Sequence, residues 1–197
     1  MKGWIPLALK NILGQRPKKI QTPAAAAADA KIQQPHAGER AMQERAGTTT
    51  SGAQVIAAKS SAIAPELIAF LEARDLVFLA TADGAGRCDA GVRAGEPGFI
   101  KVLDPKTLVF PDFPGNGSFM SLGNLVVNSH IGMLFIDFER RERVRVNGRA
   151  EVSEAAALRA LFPGAARVVR VEVEEVFRNC RSYLPRMRVV EPARSQR

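Results

Sequence analysis

Short apolar runs, none longer than a single strand, constrain this chain more than any other feature. They read LVFLATAD (76–83), RCDAGVRAG (87–95), GFIKVLD (98–104), TLVFP (107–111), HIGMLFIDF (130–138), RVRVNGRAEV (143–152) and RVVRVEVEEVF (167–177). Several alternate: Val144, Val146 and Ala150 fall on one side of their run and Val169, Val171 and Val173 on one side of theirs, as half-buried strands require. Asp83-Gly84 opens a hairpin turn, and Asp104-Pro105-Lys106 joins two further runs. Connections that short make neighbouring strands antiparallel, because a parallel pair needs a crossover of a dozen or more residues. Three helices are predicted among the strands. PELIAFLEARD (65–75) has Pro65 in its first turn and Leu67, Ile68 and Leu71 on one face. The second is SFMSLGNLVVN, with Ser118 or an earlier residue as its cap; the third is SEAAALRALF, ended by Pro163-Gly164. The pattern predicts a mainly β (α+β) fold, an antiparallel barrel with a few short helices rather than a doubly wound parallel sheet.

Charge narrows the possible partners. The formal net charge is +8 over 197 residues, but residues 1–58 hold eight Lys/Arg against three Asp/Glu, and residues 59–197 hold twenty against seventeen. The excess thus sits in an N-terminal arm (1–58) of low-complexity, partly disordered character, ahead of a barrel domain (59–188) and a tail (189–197). Within the arm, PHAGERAMQERAG predicts one short helix from about His36 to Arg45, ended by Gly47. A mildly basic body without a nucleic-acid motif argues against nucleic acid as a partner. No apolar run approaches the roughly 20 residues of a membrane span, so stable membrane insertion is not expected. Cys88 and Cys180 make neither a disulfide framework nor a metal set, which fits a cytoplasmic protein with reduced thiols. His36 and Glu39 do not amount to a metal site either.

The segment FPDFPGNGSFMSLGNL (110–125) is richer in Pro, Gly, Asn and Ser than a plain connection needs. Gly115 and Gly117 allow close backbone approach to a ligand. Asn116, Ser118 and Ser121 offer hydrogen-bonding groups, and the N–H groups opening the following helix can face a phosphate. The plainer alternative is a loop whose Asn and Ser satisfy their own backbone. Lys101, in the apolar run GFIKVL, needs a partner if buried, or points to solvent by alternation.

PGFIKVLD, PGNGSFMSLGNL and RVNGRAEV, in that order and spacing, resemble the pyridoxamine 5'-phosphate oxidase-like family of flavin mononucleotide (FMN)-binding split barrels, over about residues 63–182. The resemblance implies a six-stranded antiparallel split β-barrel that binds FMN at the boundary of a homodimer. It implies an FMN site that includes Arg93, Lys101, Asn116, Gly117, Ser118, Ser121, Asn124, Arg143 and Arg145. Lys101 matches the family's phosphate-side cation. Met120-Ser121 replaces the Arg-Lys of commoner members, which shifts phosphate binding toward Arg93, Lys101 and backbone donors. Arg143 or Arg145 would face the flavin ring, or instead pair with Glu139, Glu142 or Glu151. The C-terminal segment RNCRSYLPRMRVVEPARSQR lacks the family's substrate-holding pattern, so oxidation of pyridoxamine 5'-phosphate itself is not expected. The function this implies is an FMN-dependent oxidoreductase acting on a small molecule, with NAD(P)H as a possible donor. Its alternatives are a flavin- or haem-binding module without turnover and a deazaflavin-dependent reductase. No catalytic residue is assigned, since the flavin itself carries the redox chemistry.

Overall fold

Alternation decides which side of each strand is buried, and the strands assemble accordingly. A computed structural model describes residues 32–179 and 182–191. Most of the basic arm, Cys180 and the end of the tail lie outside the described residues. Two helices come first, α1 (Ala37–Ala46) and α2 (Thr49–Ala57), followed by α3 (Pro65–Glu72). Then come β1 (Leu76–Ala82), β2 (Cys88–Ala94), β3 (Lys101–Asp104), β4 (Thr107–Asp112) and α4 (Met120–Val127). The chain continues through β5 (His130–Asp137), β6 (Glu142–Ser153), α5 (Ala156–Arg159) and β7 (Arg167–Arg178).

All seven strands form one antiparallel sheet in the order β2-β1-β5-β6-β7-β4-β3. That is one more strand than the six expected; β3, only four residues long, is an edge. The two edges, β2 and β3, are not paired with each other, so the barrel is split. The core lies inside the curl. Val77, Met133, Phe135, Val144, Val146, Val169 and Val171 meet there, each at most 1% exposed, under Leu67 and Leu71 of α3. A smaller cluster of Val109, Leu158, Phe162 and Val168 covers the other face of β4 and β7. It explains why adjacent Val168 and Val169 are both fully buried where strict alternation would leave one outside.

Three local expectations change. The arm holds two helices rather than one: α1 is ended by left-handed Gly47 as predicted, with His36 as its N-cap rather than inside it, and α2 follows at once. The helix after β6 shrinks to four residues. Ser118 does not cap α4: its N–H and hydroxyl both donate to Asn116 Oδ1, at 3.0 and 2.9 Å, and the N-cap is Phe119.

A rim ion pair fixes α3 against β5. Arg74 Nη1 lies 2.7 Å from Asp137 Oδ2, and Asp137 Oδ1 accepts the Arg140 N–H at 2.9 Å. Burial opposes the charged carboxylate, but the Arg140 N–H and the Arg74 charge outweigh it and hold the Asp137 pKa below its ordinary value. A depressed pKa means the contribution to stability is complete above the unfolded-state pKa of about 4 and is lost as pH falls through the lower folded-state value. Asp137→Asn is therefore expected to cost about 1.5 kcal/mol at pH 7, the worth of a hydrogen bond to a charged group. The gap from the parent should close in urea melts taken from pH 5 down to pH 2. A gap independent of pH would refute the assignment.

Candidate functional site

The split between the sheet edges is where a ligand can enter. The inward face of β2 carries Asp89, Gly91 and Arg93, because Cys88, Ala90 and Val92 point outward opposite Ala82, Ala80 and Phe78. Across from it runs the segment from Pro111 to Leu122. Together they enclose a cleft of about 490 Å³ lined by Arg93, Phe113, Asn116, Gly117, Ser118, Phe119 and Ser121, among others. The family-matched loop is thus one wall of a cleft.

Its backbone is built to end a strand and start a helix abruptly. Gly117 has φ 77°, in a left-handed conformation natural to glycine, and an added Cβ would meet nothing within 4 Å. Phe119 adopts φ 47°, which costs a residue with a Cβ on the order of 1 kcal/mol. α4 starts from that residue without a side-chain cap and without an acidic residue in its first turn. Its leading N–H groups, which have no intrahelical acceptor, therefore face the cleft end, with the Asp89 carboxylate beside the first turn at Ser121.

The structure brings Arg93, Asn116, Gly117, Ser118 and Ser121 into this cleft. The side chains are not equally available. Ser121 Oγ donates to Asp89 Oδ2 at 3.0 Å, and Asn124 Nδ2 donates to Thr81 Oγ1 at 3.0 Å. Both residues thereby stitch α4 to β1 and β2. Asn116 Oδ1 is occupied by Ser118, the self-satisfied arrangement that the sequence left open. Arg93 Nη1 donates to the Val92 carbonyl at 3.0 Å, one bond from a five-donor group.

Lys101, Arg143 and Arg145 are placed elsewhere. Lys101 Nζ lies 5.6 Å from the Phe162 ring centre, in the second apolar cluster. Arg145 lies 5.9 Å from the ring of Phe177. Arg143 and Arg145 pair with Ile136 and Leu134 of β5, on the outward face of the sheet. The Nε of Arg143 is buried without a hydrogen-bond partner.

Three residues escaped the sequence reading. Asp89 and Asp112 line the cleft, and Arg167 reaches its edge, 3.4 Å from Asp112 and 5.0 Å from the ring centre of Phe119. Asp89 had a signal: it is a charge on the inward parity of an edge strand. Arg167 had none beyond opening its strand. Among the described residues, no group of three or more His, Cys, Asp or Glu could hold a metal ion, and no helix is long and apolar enough to cross a membrane.

The chain is similar to several proteins of known structure. HupZ from Group A Streptococcus is 22% identical with a TM-score of 0.48, the match covering 59% of this chain and 94% of the other. A candidate pyridoxamine 5'-phosphate oxidase from Lactobacillus delbrueckii is 27% identical with a TM-score of 0.47, covering 60% and 95%. An FMN-binding protein from Syntrophomonas wolfei is 9% identical with a TM-score of 0.42, covering 72% and 96%. Among curated proteins none matches the chain. The sequence model of the pyridoxamine 5'-phosphate oxidase family matches residues 63–186, and the chain therefore belongs to that family.

Proposed function

We propose that the cleft between β2 and the Pro111–Leu122 segment holds FMN and that the chain is an FMN-dependent oxidoreductase acting on a small molecule. The observation that carries this reading is the uncapped start of α4, which opens into a cleft faced by the Arg93 guanidinium. Unpaired helix N–H groups beside a guanidinium suit a phosphate ester. Asp89 keeps its negative charge in the cleft and offsets part of that field, whereas Asp112 is paired. The first accepts the Ser121 hydroxyl, and the second sits beside Arg167. FMN, when bound, supplies the hydride and electron transfer, so the protein's part is to hold and orient the flavin. The residues that would hold its phosphate end are Arg93, Ser118 and the main-chain donors of α4.

A homodimer completes the proposal. Val92, Phe78 and Leu134 are cross-strand neighbours on the outward face of β2, β1 and β5, and Val92 and Phe78 are 52% and 40% exposed. Arg145 continues the row on β6. A second copy seated on this apolar row would meet Arg145 at its margin.

The test is the absorbance spectrum of the purified protein, with FMN titration by fluorescence and light scattering at several protein concentrations. A yellow dimer with about one FMN per chain is expected. Colourless protein that leaves FMN fluorescence unquenched overturns the reading. A Soret band or a deazaflavin spectrum replaces FMN with haem or deazaflavin. A flavin that NAD(P)H or another donor never reduces, even with small acceptors present, reduces the chain to a binding module. A monomer that binds FMN tightly at every concentration removes the shared boundary.

A further inference from the structure

Glu175 is the most buried carboxylate among the described residues, 4% exposed, and it lies outside the cleft assigned to FMN. Three donors converge on it. The Gln33 main-chain N–H reaches Oε1 at 2.6 Å. The Lys59 ammonium lies 3.2 Å from Oε1 and 3.1 Å from Oε2, and Asn147 Nδ2 is 3.4 Å from Oε2. Asn147 belongs to the barrel. Gln33 and Lys59 are instead the two ends of one excursion, the segment that contains α1 and α2.

No fully buried apolar residue fastens that excursion, although Ile56 is half-buried. Neither helix contains a buried residue, and Met42 and Val55 are 60% and 50% exposed. Burial of apolar surface is the usual force that seats a helix, so the attachment is mainly polar and concentrated at its ends. On the barrel side the chain is fixed from Ser60, whose N–H and carbonyl exchange bonds of 2.9 and 2.7 Å with Val176. We infer that residues 33–59 form a strap closed onto the barrel by one side chain, Glu175, which latches both ends at once.

Latching both ends through one carboxylate means that loss of Glu175 frees both of them together. Withdrawal of Lys59 alone would leave a buried charge with less compensation, a costly state. Gln33 and Glu175 are also walls of a cavity of about 580 Å³ whose floor includes Ala80, Gly132 and Gly148. When Gln33 departs, that cavity loses a wall.

Hydrogen–deuterium exchange of the full chain tests the latch, with Glu175→Gln as the main variant. Main-chain exchange in residues 33–57 should quicken by about ten- to a hundredfold, the equivalent of one charge-assisted hydrogen bond, while β5 and β6 stay protected. Lys59→Met leaves Glu175 in place. It should quicken exchange at the α2 end while Gln33 and Gln34 change less, a pattern that a general loosening of the barrel would not give. Unchanged exchange across 33–57 in both variants overturns the latch, and so does equal loss of protection in strap and barrel in both.

Discussion

Gly148→Ala should lower the stability of the barrel by about 3 kcal/mol, the upper range for an overpacked site. An added Cβ would lie 2.1 Å from the Glu172 carbonyl oxygen and 3.2 Å from Val173 Cα. Those are backbone atoms in the neighbouring strand, so no rotamer change relieves the clash. The cause is a bulge. Asn147 pairs with Glu175 and Gly148 with Val173, which leaves Glu174 as an extra residue on β7. The same bulge brings adjacent Glu174 and Glu175 to the wall of one cavity. For a domain of this size the loss corresponds to a fall in Tm of roughly 6–12 °C. A melt within about 2 °C of the parent would mean that the two strands do not approach as described.

Arg93→Ala is expected to weaken FMN about a hundredfold, the upper range for a charge-assisted contact to phosphate, and to leave riboflavin nearly unaffected. Riboflavin has no phosphate, so paired titrations separate phosphate binding from the fit of the ring. Arg93→Lys should recover only part of the loss, because an ammonium keeps the charge but not the planar fork. Equal losses for FMN and riboflavin would make Arg93 a structural residue. Lys101→Ala is the informative companion. Its ammonium lies over Phe162 rather than along the cleft, and a loss there as large as that of Arg93→Ala would move the phosphate contact to β3.

Much of the fold was legible because its signals are local. Pro65 with Leu67 and Leu71 announced α3, and Val144, Val146 and Ala150 announced the buried side of β6. The loop at 110–125 stood out by composition and does line a cleft. What stayed hidden depends on partners remote in sequence. Ser121 meets Asp89 across 32 positions and Arg167 meets Asp112 across 55, and only the strand order brings them together. The cap of α4 was misassigned because Ser118 had a nearer acceptor in Asn116, a competition that residue type alone cannot settle. The second burial face of β7 was missed because four residues from different elements, Val109, Leu158, Phe162 and Val168, create it.

Being an edge has a consequence for β2 itself. A seven-residue strand with one unpaired side offers its free N–H and C=O groups to any passing chain, and its outward residues, Ala90, Val92 and Ala94, do nothing to discourage one. Asp89 and Arg93 point inward from that same edge. Charges set on the inward face of an edge strand are a known guard, since an added strand would have to bury them in an extended sheet. The groups assigned to the cleft therefore also keep the molecule from growing by strand addition. Arg93→Ala should leave that edge more adhesive, visible as an earlier onset of aggregation on warming even where the folded protein is no less stable.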